Sequence, residues 1–278
     1  MNKKYNKNGG NNKLNNNVFI ILAIIIVTIT IILIIKENDE KYYLILDNHN
    51  VIEYKDGEYN YTNTNNKNYY KPYYRVFKDN AYLGRYTITK IDEFTHEVFF
   101  TNPESEGMFA FENPLLAISD NIDKIEYNLS EFTEEDFEIF YDISSKDYIK
   151  NKNDLYDTSK VELDFDNDGK KEIIYTVTYE HIEDEDVEIS MKNYSIMFYL
   201  DHNNEITILA EGEPHYEGES ILFPNYIVRS VLDINKDGLY ELIITNRMHD
   251  EPVYEIYELI EGTYTMMFAT DLGGVYEK

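Results

Sequence analysis

The sequence predicts a mainly β fold, propeller-like or built of stacked antiparallel sheets, preceded by one N-terminal transmembrane helix. Three observations carry this expectation. Most of the chain beyond residue 41 reads as short β-branched and aromatic runs punctuated by Asp, Asn and Gly. Residues 18–35 form a run of 18 residues without a charge. One acidic pattern occurs twice, at 164–172 and 233–241, each time between apolar strands.

The uncharged run, Val18–Ile35, would rise about 27 Å as a helix at ~1.5 Å per residue, enough for a thin hydrocarbon core. A cleavable signal peptide is the competing reading. It calls for a shorter apolar core and small residues at a cleavage site, whereas Lys36-Glu37-Asn38-Asp39-Glu40-Lys41 follows here. Lys3, Lys4, Lys7 and Lys13 precede the run with no acid among them. The positive-inside rule then makes 1–17 a polar cytoplasmic stub and 18–35 a single span of the cell membrane. Everything after it is expected to be extracytoplasmic.

Composition narrows what that remainder does. The chain carries a formal charge of −28, and its first 35 residues hold only lysines, so the part beyond the span is more acidic still. Such a surface repels phosphate backbones, which excludes nucleic acid as a partner, and it concentrates divalent cations. Apolar content of 43% with 15% aromatic is globular in character. Cysteine is absent, so neither disulfides nor thiolate chemistry contribute. The abundance of Tyr, Ile, Asn and Lys looks like the compositional drift of an AT-rich bacterial genome.

Residues 36–150 are expected to form a β-rich N-terminal module with a short bridging helix. Strands are placed at 42–47, 51–54, 58–61, 82–90, 97–101 and 108–111, with a hairpin turn at Lys55-Asp56-Gly57 and a surface loop at 60–68. Within 130–148, Thr133 with Asp136 three residues on is a helix start, and Phe137, Phe140 and Ile143 recur at helical spacing. A boundary is placed at 146–154. Residues 151–278 then hold two repeats. Hairpins are expected at 194–200 with 205–209, and at 254–259 with 264–268 across Glu261-Gly262. Polar connections are expected at 181–188 and 211–220.

The repeated pattern carries the chemistry. Asp164-Phe165-Asp166-Asn167-Asp168-Gly169-Lys170-Lys171-Glu172 and Asp233-Ile234-Asn235-Lys236-Asp237-Gly238-Leu239-Tyr240-Glu241 both spell D-x-[DN]-x-D-G-x-x-E. Side-chain oxygens at positions 1, 3, 5 and 9, with Gly at 6 for a sharp turn, are what a short loop needs to wrap a hard cation such as calcium. An EF-hand requires Glu at position 12, where Tyr175 and Ile244 stand. Ordinary acidic turns are the alternative. Repetition position by position, with Glu at 9 and the same strand context, favours metal.

These residues resemble the calcium loops of FG-GAP (integrin-type, VCBS-like) β-propeller repeats, over roughly residues 161–270. The resemblance implies Ca2+ held by Asp164, Asp166, Asp168 and Glu172 with the carbonyl of Lys170. It implies a second ion held by Asp233, Asn235, Asp237 and Glu241 with the carbonyl of Leu239. Two units 69 residues apart do not close a propeller by themselves. Either the N-terminal strands supply further blades or the sheets form an open stack.

No catalytic motif is evident: there is no G-x-S-x-G, H-E-x-x-H or P-loop, and the six histidines match no zinc spacing. The expected function is that of a membrane-anchored, extracytoplasmic, calcium-binding β module. It would act as a binding or scaffold protein for a protein or glycan ligand at a bacterial cell surface. The rival is a cell-envelope hydrolase acting on glycans through a carboxylate pair.

Overall fold

The structure is a computed structural model. It describes residues 41–46, 49–62, 67–70, 72–78, 81–92, 97–102, 115–144, 149, 151–182, 191–212, 215–217, 220–222, 224–246 and 252–270. The expected span 18–35, its stub and the strand expected at 108–111 lie outside these residues. Among the described residues no helix is long and apolar enough to cross a membrane.

Three antiparallel sheets and one helix make up most of this region. The first sheet has seven strands in the order β3-β2-β1-β7-β4-β5-β6. They are β1 (Tyr42–Leu46), β2 (Asn50–Lys55), β3 (Glu58–Tyr61), β4 (Tyr74–Lys78), β5 (Ala81–Ile91), β6 (Val98–Thr101) and β7 (Leu115–Ser119). The expected turn at Lys55-Asp56-Gly57 joins β2 to β3, with Asp56 and Gly57 both at positive φ. Of the surface loop expected at 60–68, residues 60 and 61 belong to β3 and a 3-10 turn begins at Lys67, while 63–66 lie outside the described residues.

The other two sheets are meanders of one design. β9 (Leu155–Leu163), β10 (Glu172–Ile182), β11 (Met191–Leu200) and β12 (Ile206–Gly212) pair in sequence. So do β15 (Tyr226–Asp233), β16 (Glu241–Asn246), β17 (Val253–Ile260) and β18 (Thr263–Ala269). In both, the acidic pattern joins strands one and two. The long period has a plain origin: β10 and β11 are longer than β16 and β17, and a hairpin of β13 (His215–Glu217) with β14 (Ser220–Leu222) intervenes. That hairpin and the end of β12 replace the polar loop expected at 211–220.

The sheets stack through their apolar faces. In the β15–β18 sheet Leu242 and Ile244 pack toward Val161, Ile174, Met197 and Tyr199 of the β9–β12 sheet. The intervening Ile243 turns the other way, toward Leu44, Ile52 and Ile118 of the first sheet. Alternation of side chains across the pleat requires this, and all three residues are fully buried. A bulge at Arg229 lets Val228 and Val231 reach the same face of β15, since the extra residue shifts the alternation by one.

The described chain from Tyr42 onward clusters as one compact unit. β8 (Asp123–Ile125), sequentially in the N-terminal part, forms the edge of the β15–β18 sheet through Val231↔Ile125 and Leu232↔Lys124. A few residues on, Leu129 bridges to Val161 and the Ser130 N–H donates to Lys160 O at 2.8 Å. One short segment thereby laces the two meanders together.

The helix α1 (Glu134–Ser144) lies on the outer face of the β9–β12 sheet, with Phe137 and Phe140 against Tyr175, Val177, Tyr194 and Phe198. Thr133 and Asp136 close its first turn reciprocally, as their spacing predicts. The Thr133 N–H donates to Asp136 Oδ2 at 2.7 Å, and the Asp136 N–H donates to Thr133 Oγ1 at 3.3 Å. Asp136 also accepts from Tyr175 OH at 2.6 Å and from Lys160 Nζ at 3.1 Å. Burial pushes its carboxyl up, but the hydrogen bonds from Tyr175, Thr133 and Lys160 outweigh it and hold the pKa at about 2.

Because the folded pKa lies below the unfolded value of ~3.9, this stabilisation is complete above the unfolded pKa and is lost as pH falls toward 2. Asp136→Ala removes the nearer partner of the buried Lys160, leaving it Glu162 at 3.4 Å, and should cost about 3 kcal/mol at pH 7 in urea unfolding. The same variant should lose less further stability than wild type between pH 5 and pH 2.5.

Candidate metal centre

The two acidic loops are built alike, residue for residue. Glu172 pairs with Leu163 and Glu241 with Leu232, so each loop closes the first hairpin of its meander at the same register. Asn167 and Lys236, both at loop position 4, have φ of 58° and 62°. Gly169 and Gly238, both at position 6, have φ of 90° and 85°. Two left-handed residues separated by one turn the chain tightly enough to bring positions 1, 3 and 5 inward. Glycine takes this conformation without a Cβ clash, whereas Lys236 carries a strain of about 1 kcal/mol.

Hydrogen bonds repeat with the backbone. The Asp168 N–H donates to Asp166 Oδ1 at 3.1 Å, and the Asp237 N–H to Asn235 Oδ1 at 3.0 Å. The Lys170 and Leu239 N–H groups donate to Asp168 Oδ1 and Asp237 Oδ1, each at 2.8 Å. Asp164 takes the Asp168 and Gly169 N–H groups, both at 2.9 Å. The Phe165 N–H donates to Glu172 Oε2 at 2.9 Å and the Ile234 N–H to Glu241 Oε2 at 2.8 Å.

The glutamates at position 9 are the unusual feature. Glu172 is 1% exposed and Glu241 3% exposed, and the basic group beside Glu172 is the His202 imidazole, at 3.7 Å. Burial pushes Glu241 up to about 9, with Glu258 and Asp237 adding to the rise against the Ile234 N–H. Burial likewise raises Glu172, opposed by the Phe165 N–H and reinforced by Asp166, Asp164 and Asp168. Glu172 Oε1 is buried with no hydrogen-bond partner, and so is Asp233 Oδ1 in the second loop. A buried carboxylate oxygen without a donor is costly, so each loop holds one oxygen suited to a cation.

The sequence-predicted ligands fall into place unequally. In the first loop Asp164, Asp166 and Glu172 each bring a carboxylate oxygen within 4.8 Å of the others. Asp168 and Glu172 form a second such group with His202. Among the described residues, no such group forms around the second loop, where Asn235 replaces an acid and Asp233, Asp237 and Glu241 stand farther apart. Lys170 and Leu239 occupy the same position in each loop, and the Lys170 ammonium pairs with Asp168 at 3.4 Å.

His202 has no counterpart in the repeated pattern. It sits in the β11–β12 turn, 30 residues beyond Glu172, and reaches the loop because Ile173 pairs with Leu200 across the sheet. Only strand register discloses it.

The loops also touch each other. The Tyr240 N–H of the second donates to Phe165 O of the first at 3.0 Å, and Tyr264 OH donates to Tyr240 O at 2.8 Å. A methyl group at Gly238 would stand 3.5 Å from Asn167 Nδ2. Phe165 is fully buried and meets the rings of Tyr264 and Tyr199 edge-on, at 5.9 Å and 6.4 Å. On its far side the second loop contacts the first sheet, through Asn235 Nδ2 and Tyr54 OH at 3.5 Å.

Compared with family models, curated proteins and solved structures, the chain matches none. The site is therefore read from its own geometry.

Phe165→Ala should cost about 3–5 kcal/mol in chemical unfolding, since it opens a cavity between the two meanders. Lys170→Ala, on the solvent side of the same loop, should stay within about 0.5 kcal/mol of wild type.

Proposed function

We propose that residues 42–270 form a cation-braced β module held outside the cell by residues 18–35, serving as a binding or scaffold protein for a protein or glycan partner. Calcium is the cation of choice for the second loop, through Asp233, Asn235, Asp237, Glu241 and the carbonyl of Leu239. In the first loop the corresponding set is Asp164, Asp166, Asp168, Glu172 and the carbonyl of Lys170. The observation that carries this reading is that each loop, with its buried position-9 glutamate at the mouth of an equivalent hairpin, holds one buried carboxylate oxygen without a hydrogen-bond partner, Glu172 Oε1 in the first and Asp233 Oδ1 in the second. A cation bonded to these oxygens supplies the missing charge and joins strands one and two of each meander.

The likeness of the two meanders, with the acidic loop at the same hairpin in both, supports reading them as repeat units of the FG-GAP kind. The acidity of the chain beyond residue 35 supports a cation-rich, extracytoplasmic setting. The loops brace the interior of the module, so its partner is expected on the outer surfaces of the sheets and not at the metal.

Calcium at 100 times its Kd stabilises a folded protein by about 2.7 kcal/mol per site. Thermal unfolding of the full chain in detergent should therefore shift upward by about 5 °C or more on adding calcium and return on chelation. In the Asp164→Ala/Asp233→Ala double variant calcium should leave the midpoint unmoved. The same result in wild type would refute the calcium reading.

Topology has its own test. Protease added to intact cells, or to protoplasts where a wall shields the surface, should digest residues 36–278 and leave the N-terminal stub. Digestion confined to lysed cells would place the module inside, and a soluble product beginning near Lys36 would make the segment a cleaved signal.

A further inference from the structure

The two loops share a backbone, but their surroundings differ in one chemically decisive respect. The turn after strand three of the first meander carries His202, and the corresponding turn of the second, Glu261-Gly262, carries no histidine. His202 Nδ1 stands 3.7 Å from Glu172 Oε1, the carboxylate oxygen that is buried without a hydrogen-bond partner. The Glu172 side chain is fully buried while that of His202 is 26% exposed, so one ligand is fixed and the other closes from the solvent side. Asp168 completes the group, with all three donor atoms within 4.8 Å of one another.

We propose that the first loop is a mixed nitrogen–oxygen site in which His202 joins Asp168 and Glu172 to hold a transition-metal dication of the Zn2+ class, while the second loop is an all-oxygen calcium site. The proposal rests on the first loop being a cation site and assigns the metal class it selects. Imidazole suits zinc and its first-row neighbours, whereas calcium and magnesium take oxygen. Ligands at about 2.1 Å from one ion stand roughly 3.4 Å apart in a tetrahedron. The 3.7 Å between His202 and Glu172 needs only a small adjustment to meet that.

Glu172 is common to both clusters of the first loop. One of its oxygens is committed to the Phe165 N–H, which leaves Oε1 as the free ligand. That oxygen faces His202, and this orientation separates the first loop from the second. Asp164 and Asp166 make up the other cluster with Glu172, and their negative charge strengthens attraction for any dication.

Titration of the tag-free full chain in detergent micelles with Zn2+, Co2+ and Ca2+ tests the proposal. Wild type should bind one Zn2+ that His202→Ala weakens at least tenfold. The Co2+ complex should show visible ligand-field bands that shift to the red in the variant, as nitrogen is exchanged for oxygen. Because His202 sits in an exposed turn, the variant should keep the unfolding midpoint of wild type without metal and its full response to calcium. Asp233→Ala should leave Zn2+ affinity unchanged.

Equal Zn2+ affinity and equal Co2+ spectra in wild type and His202→Ala would overturn the proposal, as would absence of Zn2+ binding by wild type. A calcium response that persists in either case would leave the bracing role standing. Zn2+ binding that depends on His202 in a chain indifferent to calcium would uphold the mixed site and overturn the calcium reading.

Discussion

A carboxylate at the first residue of a strand covered on both faces imposes a strict condition, because each of its oxygens must find a donor or a cation. Glu172 and Glu241 are in that position. One oxygen of each takes the N–H of loop position 2, and this draws the loop back over its own hairpin. The residue that gives the N–H, Phe165 or Ile234, is then carried into the core, where both are fully buried. Loop shape and the anchoring of each hairpin to the neighbouring sheet follow from satisfying one buried carboxyl group.

The same economy governs the stack of sheets. Successive residues of β16 serve different neighbours: Leu242 and Ile244 face the β9–β12 sheet, and Ile243 faces the seven-stranded sheet. A strand apolar on both sides needs cover on both sides. The β15–β18 sheet is therefore the middle layer, and its loop touches both outer ones, at Phe165 and at Tyr54. Any cation in these loops would act on the junction of three layers.

Much of this was legible locally. The Thr133/Asp136 start of α1, the glycine turns of β2–β3 and β17–β18, and the strands entering and leaving both acidic loops depend on neighbours within a few residues, and the structure has them where their patterns point. The strands β4, β7 and β8 were not singled out. β7 is a five-residue strand held between β1 and β4, more than 35 residues from either partner. β8 has three residues, too few to show a period. Such strands are defined by the edges they pair with. His202 escaped for the same reason, since the spacing of known zinc motifs is silent about a ligand supplied across a ladder.

By itself the sequence determined that this chain carries one long uncharged segment, a strongly acidic remainder rich in strand and turn signals, and two copies of an oxygen-rich loop. Those properties reside in composition and in contacts between near neighbours, where residue type and spacing suffice. Tertiary structure alone decided that the N-terminal strands and the repeats share one core, that the two loops lean on each other through Phe165 and Tyr240, and that, among the described residues, a histidine stands at the mouth of the first loop and not of the second. Each of these depends on which strand edges pair and in which register, and a shift of one residue would turn every side chain concerned to the opposite face.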